Sequence, residues 1–221
     1  MSHLIPVVFD SYAKLLHRIE AYYEFIDQPL SPHENAILGI PSCDPLKSFV
    51  ERRRADARGP RIWWKELAEL LNVPFAPTIN HGWYRKKLSD TWCWPRLLRG
   101  PRDGYLCREE CEALASVLKS ITGTQDCFFR FSDIPFYRRP SQPQLFRGAL
   151  DGVAEFQEER RLGLEYWWPS DRSWCVCSHY DLHYTIIGGP SQLVSALLRN
   201  RVLECIEVTP QTRIDVFAPM P

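Results

Sequence analysis

No stretch of this chain approaches the roughly 18 consecutive apolar residues that a membrane helix needs, and its beginning, MSHLIPVVFDSY, lacks the basic n-region and long apolar h-region of a secretory signal. A cytoplasmic protein with no membrane partner is the expectation. Net charge is missing as well: 27 basic and 27 acidic residues cancel, so no global field holds the chain to nucleic acid or to an anionic surface. A nucleic-acid partner would have to use a local patch. None of the eight cysteines forms a CxxC pair, and in an unsignalled chain of this length free thiols are expected rather than a disulfide scaffold. The patterns GxGxxG, P-loop, HExxH and GxSxG are absent, so no cofactor is expected and no nucleophile is marked. Internal repeats and low-complexity segments are absent too.

What is present is an ordinary globular composition, 45% hydrophobic and 24% charged, over 221 residues. That length buries a sizeable core without staples. Aromatic residues are plentiful, with 8 Trp, 9 Tyr and 11 Phe, and large rings serve both as core and as interface anchors. Basic residues crowd two stretches, Arg52, Arg53, Arg54, Arg58 and Arg61, then Arg85, Lys86, Lys87, Arg96, Arg99 and Arg102 against only Asp90. Such runs are solvated surface or a docking face for an acidic partner.

Apolar spacing predicts a helix from Asp10 to Ile26 through Tyr12, Leu15, Leu16, Ile19, Tyr22 and Tyr23. Asp44-Pro45 opens a second helix through Leu46, Phe49 and Val50, and RIWWKELAELLN sets Trp64, Leu67, Leu70 and Leu71 on one side of a third. Residues 73 to 105 read as irregular. CREECEALASVLKSITG is a helix closed by Gly123, CFFRF and QLFRGAL suit strands, FSDIPFYRRPSQPQ is a proline-broken connection, and VAEFQEERRLG suits a short helix. LEYWW and SWCVCSHYDLHYTIIGG form a hairpin about the turn PSDR, followed by a helix from Pro190 to Asn200 and a strand VLECIEV. The expected fold is α+β, with helices packed on one face of a mainly antiparallel sheet. One domain over 1–221 is expected, with 1–103 mostly helical or irregular and 104–221 forming the sheet core.

Within that hairpin, WCVCSHYDLHY places Cys175, Cys177, His179, Asp181 and His183 at every second position. On one strand they share a face, with alternate Cα atoms about 6.6 to 7 Å apart. His179, Asp181 and His183 are the candidate metal-binding or acid-base residues, since imidazole and carboxylate both ligate zinc and move protons. Two histidines four apart on a strand meet at a metal only if the strand bends, and the other histidines supply no ligand spacing. The same alternation is what any half-exposed antiparallel strand shows.

Three runs, GYLCREECEALASVLKSITGTQDCFFRF, QLFRGAL and YWWPSDRSWCVCSHYDLHYTIIGGPSQLVSALL, together resemble a family of uncharacterised bacterial proteins, many from actinobacteria, that carry a WWPxDRxWCV hairpin and a TxxGG turn. The resemblance spans roughly Gly104 to Leu198 and implies a fold more than an activity. It rests on Trp167, Trp168, Pro169, Asp171, Arg172, Trp174, Cys175, Asp181, Thr185, Gly188 and Gly189, and leaves Cys177, His179 and His183 outside the pattern. Attention therefore moves to Asp171 and Arg172, a structural charge-assisted contact or an exposed recognition feature, with Trp168 beside them. Missing catalytic motifs, aromatic richness and this resemblance point to a non-catalytic protein-binding protein of the toxin-neutralising immunity type. The alternatives are an acid-base or metal-dependent enzyme at His179, Asp181 and His183, and a nucleic-acid binder using the basic stretches. Oligomeric state is not legible.

Overall fold

A computed structural model describes residues 4–28, 44–88, 94–131, 144–160 and 163–215. The chain divides into two compact units: Met1–His17 with Arg102–Thr212, and Arg18–Pro101 with Arg213–Pro221.

The first unit is built on a seven-stranded sheet: β1 (Ser11–Leu16), β5 (Cys127–Phe131), β6 (Leu145–Gly148), β7 (Leu164–Pro169), β8 (Cys175–Cys177), β9 (Tyr184–Gly189) and β10 (Cys205–Val208). Their spatial order is β10-β1-β9-β8-β7-β5-β6, and every pairing is antiparallel. Helices α4 (Arg108–Thr122), α5 (Val153–Arg160) and α6 (Ser191–Arg199) cover one face. Their apolar residues Leu114, Leu118, Val153, Val194 and Leu197 share a core with Ala13, Leu15, Phe129, Trp167, Val176 and Ile187 from the sheet. This is an α+β fold.

The helix expected over Asp10–Ile26 is not there. Residues 11–16 are β1, 19–21 are β2 and 23–25 a single 3₁₀ turn. β1 lies inside the sheet between β9 and β10 and is buried on both faces from Tyr12 to Leu16. A strand buried on both sides reads as a continuous apolar run, and local spacing does not distinguish such a run from a helix. Distant partners decided the matter.

Nor is Trp174–Tyr184 one strand. It breaks after Cys177, and residues 178–183 form a turn before β9. Leu182 N–H donates to the His179 carbonyl at 2.9 Å, and Asp181 N–H donates to His179 Nδ1 at 3.3 Å. The alternation that put five polar residues on one face therefore holds only for Cys175 and Cys177. Elements whose signals are local follow the sequence closely: Cys107 N–H donates to Glu110 Oε2 at 3.4 Å to open α4, Gly123 closes it at φ +70, and α6 begins just after Pro190.

The second unit holds the three-stranded sheet β3-β2-β4 (Arg61–Ile62, Ile19–Ala21, Leu98–Arg99) with helices α1 (Asp44–Ala55), α2 (Trp64–Leu71) and α3 (His81–Leu88). Residues 73 to 105 thus contain α3 and β4, where the sequence reads as irregular. α3 is short and its start is marked only by Asn80, whose side chain accepts from Trp83 N–H at 3.3 Å. The proline-broken connection expected between β5 and β6 lies outside the described residues, as does Asp90.

Candidate functional site

His17, Ser178, Thr185, His183 and Asp103 gather where the β8–β9 turn meets the loop 102–105. Gly104 N–H donates to the Leu182 carbonyl at 2.8 Å. Gly104 has φ +57, and a Cβ there would lie 2.6 Å from the Cα of Tyr180. A Cβ on Gly163 would in turn overlap the Gly104 carbonyl, so this loop approaches the turn and Gly163 only because side chains are missing.

Beneath the turn lies a buried chain of hydrogen bonds. His17 is 1% exposed; its Nδ1 is 2.7 Å from the Arg102 carbonyl and its Nε2 is 2.9 Å from Thr185 Oγ1, which is 2.5 Å from Ser178 Oγ. Burial pushes the His17 imidazolium down to about 4; the Arg102 carbonyl acts in the other direction, His183 reinforces the lowering and Asp103 opposes it. His17 is therefore neutral at pH 7.

Of the three candidate acid-base residues, His183 has Nε2 2.9 Å from Asp103 Oδ1, and its Nδ1 is buried. His179 stacks on Tyr180 with ring centroids 4.3 Å apart, and its Nδ1 is 4.0 Å from Asp181 Oδ2. Asp181 is exposed. The turn thus sends His183 to Asp103 and His179 to Asp181, and among the described residues no group of three or more His, Cys, Asp or Glu is placed to hold a metal ion. Four buried thiols are quiet: burial pushes Cys111, Cys175 and Cys177 up to about 12 and Cys127 up to about 11.

Asp171 and Arg172 do different jobs. Asp171 Oδ2 accepts from Gln125 Nε2 at 2.8 Å and Oδ1 from Ser173 N–H at 2.9 Å, while Asp171 N–H donates to Gln125 Oε1 at 3.2 Å. These donors hold its carboxyl below the usual carboxylate range. Asp171 therefore fastens the β7–β8 turn to the segment between α4 and β5. Arg172 occupies the left-handed region at φ +57 and is exposed.

On the sheet face opposite α4–α6, Phe128 of β5 and Trp168 of β7 are paired in register and stacked, with centroids 5.7 Å apart and planes at 16°. Beside them the Arg130 guanidinium lies 5.6 Å from the Tyr166 ring, and Leu145 on β6 is 58% exposed. The basic stretches, by contrast, are partly spent within the second unit. Arg53 is 6% exposed and donates to Glu66 at 2.8 Å and to the Arg61 carbonyl, Arg54 pairs with Asp27 at 2.8 Å, and Arg61 lies 3.9 Å from the Trp63 ring.

Sequence reasoning missed His17, Asp103, Ser178 and Lys14. Lys14, in the middle of β1, is fully buried with Nζ 4.7 Å from the Tyr184 ring centroid, and burial pushes it down to about 7. A lone lysine inside the run YAKLLH was its only signal. Comparison with models of protein families, with curated proteins and with solved structures gives no match.

Proposed function

We propose that this chain is a non-catalytic protein-binding protein of the immunity type, which neutralises a bacterial toxin in the cytoplasm by covering its active surface. The observation that supports the reading is the stacked Phe128–Trp168 pair on the sheet face opposite α4–α6, with Tyr166, Arg130 and the exposed Leu145 beside it. Tryptophan, tyrosine and arginine are the side chains from which interfaces draw most of their energy. Internal commitments of the other candidates support the same reading: Asp171 fastens a turn, His17 is neutral and buried, and burial keeps the Cys175 and Cys177 thiols protonated. The resemblance to bacterial proteins with a WWPxDRxWCV hairpin belongs with this proposal.

The test is co-expression with the product of an adjacent toxin-like reading frame. Protection from toxicity and a direct complex are expected, and Phe128→Ala with Trp168→Ala should weaken that complex at least about 30-fold, since a hot-spot truncation costs about 2 kcal/mol or more. Failure of the folded wild-type protein to bind or inhibit that product would sink the proposal.

One observation favours a second reading, an acid-base enzyme: His183 Nε2 lies 2.9 Å from Asp103. An activity lost in both Asp103→Asn and His183→Gln would support it. A metal-dependent form is removed if untagged protein contains no metal and gains none on zinc titration.

A further inference from the structure

β6 ends the sheet on one side, with β5 as its neighbour. Phe131 N–H donates to the Gln144 carbonyl at 3.3 Å, and bonded pairs alternate along an antiparallel ladder, so Gln144, Phe146 and Gly148 spend their main-chain groups on β5. Leu145 and Arg147 therefore turn their N–H and C=O groups outward, and among the described residues no strand meets them. The side chains of the same two residues stand on the face opposite α4–α6, because Leu145 lies across from Arg130 and Arg147 across from Phe128. Leu145 is 58% exposed and the Arg147 side chain 65%. The open edge thus continues the aromatic face made by Phe128, Trp168 and Tyr166.

Given the protein-binding reading, on which this rests, we propose that β6 takes an extended segment of the partner protein as an added antiparallel strand. That segment carries an acidic residue opposite Arg147 and, two residues further on, an apolar residue opposite Leu145. Main-chain bonds to the outward N–H and C=O groups supply affinity whatever the sequence, and alternate side chains supply the choice. A strand bonded to Leu145 and Arg147 sets its own alternate side chains beside theirs, on the aromatic face. Leu145 accepts an apolar neighbour there. Arg147 places Nε and Nη2 each 2.8 Å from Asp126 Oδ2, which leaves Nη1 to donate to a carboxylate. Arg130 makes no hydrogen bond among the described residues, its Nε buried 4.0 Å from Glu165 Oε2. A second copy of this chain fits the edge less well: the antiparallel register that uses both outward residues of both copies sets each Arg147 beside a Leu145 and brings it no acid.

The probe is the product of the adjacent toxin-like reading frame, read by its Kd and by amide exchange of the full chain alone and in the complex. Alone, the Leu145 and Arg147 amides should exchange at least about 10-fold faster than those of Phe146 and Gly148, and in the complex they should slow at least about 10-fold. Leu145→Pro removes an outward N–H and no bond to β5, so it should weaken the complex about 10-fold more than Leu145→Ala. Arg147→Glu should weaken it further than Arg147→Gln, and equal effects of the two overturn the acidic residue. Equal Kd values for Leu145→Pro and Leu145→Ala, or unslowed Leu145 and Arg147 amides in a complex that Trp168→Ala still weakens, overturn the added strand and leave the protein-binding reading standing. Absence of any complex with folded wild type overturns both. Dimers of the free protein in which these amides are already protected put a second copy on the edge and overturn the proposal. Should Leu145→Pro not fold, exchange in the wild-type complex decides.

Discussion

Lys14 should make the protein more stable as pH rises above neutrality, and replacing it by methionine should remove that dependence. Its side chain is 0% exposed in the middle of β1, opposite Ile186 on β9 and Ile206 on β10, and burial moves it from 10.5 to about 7. Because the folded value lies below the unfolded one, the unfolded chain holds the extra proton between pH 7 and 10.5. Stability therefore rises with pH through that window and is lost as pH falls toward 7. A shift of this size corresponds to about 5 kcal/mol in full, of which about 1.5 kcal/mol should be regained between pH 7 and 8.5. That lower part of the window is the one to use, because the buried thiols at about 11 to 12 work in the opposite direction above pH 9. Urea unfolding followed by tryptophan fluorescence at pH 7 and 8.5 measures the difference. Lys14→Met, close in length and needing no proton, should be more stable than wild type at pH 7 and change by less than about 0.5 kcal/mol between the two pH values. A wild type with no rise, or a Lys14→Met protein with the same rise, would show that burial of the ammonium is not what sets the slope.

Three further outcomes are expected. Cys111, Cys175 and Cys177, held near 12 by burial, should resist a thiol reagent at pH 8 in the folded protein, whereas all eight cysteines should react in denaturant; fast labelling of Cys175 or Cys177 in native protein would contradict the placement of β8. Asp171→Ala should cost about 1 to 2 kcal/mol, since it removes acceptors for Gln125 and Ser173, and chemical denaturation reads that directly. Arg53→Ala should cost about 1.5 to 3 kcal/mol, the scale of hydrogen bonds to a charged group, because Glu66 keeps Arg58 as a partner, and Arg53→Lys should recover little, because a buried guanidinium that reaches Glu66 and the carbonyl of Arg61 is not replaced by an ammonium; full recovery by lysine would show that charge alone suffices.

Where sequence signals are local, the fold is legible. Asp171 and Arg172 mark the β7–β8 turn, Gly123 ends α4, Pro190 precedes α6, and the α+β arrangement follows from those pieces. β1 is not legible, because Tyr12, Leu15, Leu16 and Ile19 satisfy helical spacing and only their pairing with β9 and β10 makes the segment a strand. The break after Cys177 is hidden for a related reason. Cys, His and Asp at alternate positions look like one strand until the loop at Gly104 meets the Leu182 carbonyl. The polar cluster joins His17, Arg102 and Thr185 across separations of 85 and 168 residues, and no spacing rule reaches so far. His179 and His183, which spacing placed together, face different carboxylates instead.

The sheet order also sets a timetable for synthesis. β1 is made first, yet its two neighbours, β9 and β10, are the last strands of the sheet to emerge. At 5 to 20 residues per second, about 170 residues of translation leave Tyr12–Leu16 without its partners for on the order of 10 to 30 seconds. During that interval an apolar segment with both edges open is a substrate for chaperones, and a nascent chain halted before Tyr184 would keep it so.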